Sequence, residues 1–187
     1  MAARIQSSIC NRFSWFSDYG GSGDRIWLAW DARELKVEIL ESHQQLLHCK
    51  VEILSLHTIC LISVVYGANE MVSRRALWER ISHYSVVSGE TPWMLFGDFN
   101  VVLDSSKVMG ASAELTQAFD DFQQCLLEAG LITLPMTGAP FSWHHRSDGP
   151  RSLWKRLDRV LVNDFWLVKW PSQFYHSTTT ALLTILH

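Results

Sequence analysis

A chain of 187 residues with 48% apolar side chains has the length of one domain and enough apolar surface to bury a core. Its formal net charge of −3 excludes the global basic footprint of a tight, stoichiometric nucleic-acid binder, though not an enzyme that touches a few phosphates. The four cysteines, at positions 10, 49, 60 and 125, form no CxxC pair, so neither a zinc ribbon nor a redox motif is supported.

The N-terminal stretch MAARIQSSICNRFSW lacks the apolar core of a secretory signal. No apolar run approaches the ~20 residues that span a bilayer. Scattered single cysteines read as small buried hydrophobes in a reducing compartment. The expectation is a soluble intracellular protein. Gly20-Gly21-Ser22-Gly23 reads as a turn; no strand precedes it and no dinucleotide-binding glycine pattern is completed.

Nine Trp and nine Phe suit sheet cores and favour a β-rich body. Short β-like runs are predicted at Ile26–Trp30, Lys36–Leu40 and Leu46–Leu54, separated by polar breaks such as Asp31-Ala32-Arg33. Thr58–Val65 is almost continuously apolar and β-branched, the pattern of a strand covered on both faces. Over 73–85, Leu77, Ile81 and Tyr84 recur at helical spacing. Trp93–Phe96 reads as a short buried strand, expected to be central. Over 112–129, Leu115, Phe119, Phe122 and Leu126 form a second helical stripe, with Ser112 as N-cap and Gly130 just past the end. Pro140-Phe141-Ser142-Trp143 and Leu157–Val162 read as further strands, and His144-His145 as a solvated pair in a loop. Runs of strands with a few helices between them point to an α+β arrangement of packed sheets with helices outside.

Three segments carry possible chemistry. In Gly97-Asp98-Phe99-Asn100 a buried strand ends, and an acid and an amide follow two residues apart. In extended chain such a pair points to one side, where a carboxylate and a carboxamide hold a water or a hard cation such as Mg²⁺. The same residues are also ordinary turn formers. In Arg156-Leu157-Asp158-Arg159-Val160 an acid sits among apolar strand residues and needs a partner, either a neighbouring Arg or a His. In Tyr66-Gly67-Ala68-Asn69 a hydroxyl and an amide stand at a strand mouth, fit for a phosphate oxygen or for a plain capping turn.

Taken together, Tyr66-x-x-Asn69, Gly97-Asp98-Phe99-Asn100, Phe141-Ser142-Trp143 and Arg156–Val160 follow an order that resembles the endonuclease/exonuclease/phosphatase (DNase I-like) superfamily. The wording around them is similar to the endonuclease domain of plant LINE-type non-LTR retrotransposons, as in Asp24–Trp30, Arg75-Ala76-Leu77-Trp78 and Asp158–Asn163. The resemblance implies an α/β four-layer sandwich of two facing sheets flanked by helices. It implies Mg²⁺-dependent phosphodiester hydrolysis on DNA, and it makes the nucleus the expected location. By resemblance Asp98 orients or deprotonates the attacking water and ligates the metal. Asn100 holds the water, Asp158 pairs with a catalytic histidine, and Tyr66 and Asn69 contact the scissile phosphate. A small-molecule phosphatase is the superfamily's other chemistry.

The departures from that pattern are specific. The family domain opens with an Asn strand and a Glu strand whose Glu ligates the metal, and this chain reads as starting after both. Glu34, Glu38 and Glu41 come too late in order to replace that Glu. The family closes on Ser-Asp-His; His187 aligns with the His, and Leu186 stands where the Asp belongs. The alternative expectation is therefore a catalytically inactive, retroelement-derived remnant that keeps the fold, or a binding module.

Overall fold

The structure, a computed structural model, describes residues 13–17, 26–101, 108–109, 116–138, 143–145, 153–171, 175–177 and 184–185. The strands of the first half are β1 (Phe13–Ser17), β2 (Trp27–Asp31), β3 (Leu35–His43), β4 (Leu46–Ile53), β5 (Thr58–Tyr66) and β6 (Trp93–Asp98), with helix α1 (Met71–Val87) between the last two. Then come β7 (Val108–Met109), α2 (Thr116–Glu128), β8 (Ile132–Thr133), β9 (Met136–Gly138), β10 (Trp143–His145) and β11 (Leu153–Lys155). The chain continues through β12 (Asp158–Val162), α3 (Asp164–Lys169), β13 (Tyr175–Ser177) and β14 (Thr184–Ile185). The expected N-cap Ser112 lies outside the described residues.

The main sheet has six strands in the order β3-β4-β5-β6-β12-β8. β3, β4 and β5 form an antiparallel meander. α1 then crosses over, so β6 lies parallel to β5. β12 pairs antiparallel with β6 although about sixty residues separate them in sequence. As expected, β6 is internal, and Trp93, Met94 and Leu95 are buried. Among the described residues the other strands form three short sheets, β1-β2, β10-β11-β7 and β14-β13-β9.

The pleat divides the sheet's side chains between two cores. Val65, Trp93, Leu95, Phe99 and Leu161 face α1 and α2, where Leu77, Trp78, Ile81 and Phe122 meet them. Trp78 stacks on Phe122 with ring centroids 4.9 Å apart. Cys60, Met94, Val160 and Val162 face the other way, toward Ile26 and Leu28 beside and on β2 and Trp166 of α3. The continuous apolar run of β5 follows from this: its odd and even positions are both covered. The result is a mixed α/β fold whose six-stranded sheet is flanked by helices.

Local chemistry explains the boundaries. Asp31 closes β2, its carboxylate accepting the Arg33 N–H at 3.1 Å in a turn. β4 ends one residue before the predicted Leu54 because Leu54–Leu56 coils into a 3₁₀ turn closed by His57 at φ 47°. Gly130 takes φ 62° just past α2, and Leu131 N–H reaches back to Leu126 O at 2.9 Å, a Schellman closure. One expectation is corrected: His144-His145 is not loop but part of β10, paired with β11. Among the described residues no helix is long and apolar enough to cross a membrane.

Candidate active site

The end of β6 is shaped by its glycine. Gly97 sits at φ 135°, and a Cβ there would come within 2.0 Å of the Val65 carbonyl oxygen. Only glycine lets β5 run this close alongside. The register then places Tyr66 opposite Asp98 on one side, and Asp158 opposite Asp98 on the other. Residues opposite one another in neighbouring strands share a face, with Cβ atoms about 5 Å apart. Tyr66, Asp98 and Asp158 therefore form one row across three strands, at one end of the sheet. They lie on the face that also carries Phe96 and Val160.

Asn100 joins this row by a different route from the one its spacing implied. It is not extended but lies in the left-handed region, at φ 50°, which asparagine tolerates. Its N–H donates to Asp98 Oδ1 at 2.8 Å, and its side-chain Nδ2 donates to Gly67 O at 2.6 Å. Between the two, Phe99 turns into the helix-side core and is fully buried. Gly67 N–H donates to Asp98 O at 2.7 Å. A Cβ on Gly67 would meet the Phe99 carbonyl oxygen at 2.6 Å, so the loop after β5 and the loop after β6 are in direct backbone contact. Asn69 lies on that first loop and is exposed.

Two residues that the sequence reading passed over hold the loop. Arg74 is buried on α1, and its Nη1 donates at 2.8 Å to both Ala68 O and Asn69 O. Gln45, buried in the turn between β3 and β4, accepts the Ala68 N–H at 2.7 Å and donates to Ser73 O at 2.8 Å. Arg74 precedes Leu77 by three residues and Trp78 by four, so it falls on the buried stripe of its own helix. A charge at that position was the available signal. Gln45 offered none.

Burial is the main reason the Asp98 carboxyl is pushed up to about 6. The Asn100 N–H opposes that rise, the neighbouring Asp158 charge adds to it, and Arg74 lowers it. Burial in turn lowers the Arg74 guanidinium, against the pull of Asp121 and Asp98. The row thus offers a carboxyl that titrates near neutrality, a second carboxyl opposite it, and a phenol.

The later glutamates are placed elsewhere. Glu38 and Glu41 lie on β3, which β4 and β5 separate from β6. Glu41 is engaged by the Tyr84 hydroxyl and by Arg80. Among the described residues no group of three His, Cys, Asp or Glu side chains is arranged to hold a metal ion. Asp98 and Asp158 still fit a hard cation, because Mg²⁺ is commonly held by one or two carboxylates plus waters and substrate phosphate. His187 lies outside the described residues.

No family model matches the sequence, and no curated protein matches it. Solved structures do match. The endonuclease domain of TRAS1, a telomere-specific non-LTR retrotransposon, is 16% identical, with a TM-score of 0.64 over 87% of this chain and 72% of that one. The chain has a DNase I-like fold. An endonuclease/exonuclease/phosphatase protein from Bacteroides vulgatus shares it at 12% identity and a TM-score of 0.55, over 94% of this chain and 77% of that one. So does D. rerio TDP2, solved with a single-strand DNA product, at 12% identity and a TM-score of 0.53, over 92% and 70%. At these identities the likeness speaks for the DNase I-like fold alone.

Proposed function

We propose that this chain carries a phosphodiester-hydrolysing site of the retroelement-endonuclease kind, acting on DNA in the nucleus, with a weak hold on its divalent cation. The observation that carries the reading is the row Tyr66–Asp98–Asp158. Three polar residues from distant parts of the sequence arrive at one sheet end, which a set of unrelated turns would not produce. In this reading Asp98, titrating near 6, takes a proton from the attacking water at neutral pH. Asn100 fixes the carboxylate through its N–H. Tyr66 and Asn69 donate to non-bridging phosphate oxygens, and Asp158 orients a histidine, for which His187 is the candidate. Asp98 and Asp158 would hold the Mg²⁺, which when bound neutralises charge developing on the phosphoryl oxygens. Each would then carry two duties, which is the ground for a weak site. The plant LINE-type origin rests on the sequence segments named above.

The second reading is a retroelement-derived domain that keeps the fold without turnover. What favours it is the sequence pattern: Leu186 stands where the family's closing Asp belongs, and Glu34, Glu38 and Glu41 come too late in order to replace the metal-ligating Glu. Nicking of supercoiled plasmid separates the two. The expected result is slow nicking that needs Mg²⁺ and is lost in Asp98→Ala. Nicking that survives in Asp98→Ala, or that ignores Mg²⁺, overturns the site assignment. No nicking by a folded wild-type protein establishes the inactive reading.

A further inference from the structure

We propose that Arg74 and Gln45 are positioning residues: together they hold the Gly67–Glu70 loop, and with it Asn69, against the end of β6. The proposal rests on the reading of this site as phosphate-binding, and it adds two residues outside the motifs that mark the site.

The argument starts from the loop's backbone. Only four residues link β5 to α1. Gly67 N–H donates to Asp98 O, and Gly67 O accepts from Asn100. Ala68 N–H donates to Gln45 Oε1, and Ala68 O accepts from Arg74. Asn69 O also accepts from Arg74. Five of the six backbone groups from Gly67 N–H to Asn69 O are thus fixed, two by the site's own loop after β6 and three by Arg74 and Gln45. A surface loop normally leaves such groups to water. What remains outward are the exposed side chains of Asn69 and Glu70, of which Asn69 carries the amide that can donate to a phosphate oxygen.

Arg74 is an expensive way to fill its position. The stripe Leu77, Trp78, Ile81 and Tyr84 would be continued by Met or Leu at 74, with no charge to desolvate. The guanidinium there instead spans two successive carbonyls and lies within electrostatic range of Asp98. Gln45 uses one amide to hold both the loop and the first turn of α1, so it sets the distance between them. Both bonds from Arg74 leave from one nitrogen, Nη1. A lysine ammonium can replace that nitrogen, whereas methionine cannot.

The test compares wild type, Arg74→Met, Arg74→Lys, Gln45→Leu and Asn69→Ala in two measurements. In native-state amide exchange, Arg74→Met and Gln45→Leu should speed exchange at Gly67 and Ala68 about tenfold relative to the interior of β4 and β5. Arg74→Lys should recover most of the protection. Unchanged loop exchange in both variants overturns the proposal, whether or not the wild type cleaves anything. The second measurement is anisotropy with a short fluorescein-labelled DNA duplex. Arg74→Met should weaken binding about tenfold in wild type, comparable to losing one good phosphate hydrogen bond. It should add almost nothing in the Asn69→Ala background. Additive losses mean that Arg74 acts only on stability, and they overturn the proposal. If Arg74→Met does not fold, Gln45→Leu carries the same two comparisons. Wild-type protein that neither binds nor cleaves the duplex removes the phosphate reading, and the exchange result then decides the loop's positioning alone.

Discussion

At the scale of single residues, one half-buried and one buried group pull the pH dependence of stability in opposite directions. Asp98 has its folded carboxyl raised from an ordinary value near 4 to about 6. The folded state therefore holds the proton more tightly than the unfolded state. Its contribution is full below the unfolded value and is lost as pH rises through about 6. His48, buried on β4, is lowered by burial from 6.5 to about 4. Its Nδ1 lies 2.7 Å from Ser63 Oγ, and its ring stacks on Tyr84. Charging His48 costs stability as pH falls from 6.5 toward 4. Each shift, about two units, is worth ~3 kcal/mol. In wild type the two slopes should largely cancel between about pH 4 and 6. Urea unfolding across that window checks this. Asp98→Asn should leave a stability that climbs with pH, and His48→Gln one that falls. An Asp98→Asn protein with the same pH slope as wild type would show that Asp98 does not titrate as its burial implies. Asp98, Tyr66 and Asp158 stood out as polar residues in or at the end of apolar strand runs, and the resemblance, not the residues alone, grouped them into one candidate site. Gln45 did not, because its role comes from backbone groups that no side-chain pattern displays, and Arg74 showed only as a charge on the buried stripe of α1, without the carbonyls it holds. The left-handed turn at Asn100 was hidden for the same reason.

At the scale of elements, β6 is held in place by close approach. Gly97→Ala combines a positive φ with a Cβ only 2.0 Å from Val65 O, so the parallel pairing of β5 and β6 must open. The expected cost is ~3 kcal/mol or more, with loss of the row. Gly89, in the turn before β6, also has a positive φ of 54°, but a Cβ there meets nothing within 4 Å. Gly89→Ala should cost about 1 kcal/mol. Thermal melts of the two variants give the comparison, and equal losses would show that backbone strain rather than strand contact governs both sites. The long elements were legible because periodicity needs several residues to show itself: β5 and α1 came within a few residues of their predicted bounds. The two- and three-residue strands β7 to β11 fall below that threshold. The antiparallel pairing of β12 with β6, which makes the row, is a long-range contact that no local pattern encodes.

At the scale of the whole molecule, the proposed cation site rests on two carboxylates brought together by the pairing of β6 with β12. When both are ionised, Asp98 and Asp158 repel across the strands, and that repulsion contributes to the raised Asp98 carboxyl. A divalent cation between them would relieve it, so Mg²⁺ and the proton compete for the same oxygens. Mg²⁺ also sheds water reluctantly and favours octahedral oxygen ligands, so two carboxylates without substrate phosphate should bind it only in the millimolar range. The expected signature is a melting temperature raised by millimolar Mg²⁺ at pH 8. A concentration about tenfold above Kd adds ~1.4 kcal/mol. The shift should shrink toward zero at pH 5, where Asp98 is largely protonated, and should be lost at both pH values in Asp158→Asn. A shift of equal size at pH 5 and pH 8, or one that survives in Asp158→Asn, would place the cation elsewhere on the molecule. Saturation at micromolar Mg²⁺ would mean that a further strong ligand completes the site, and the proposal of a weak hold on the cation would be overturned.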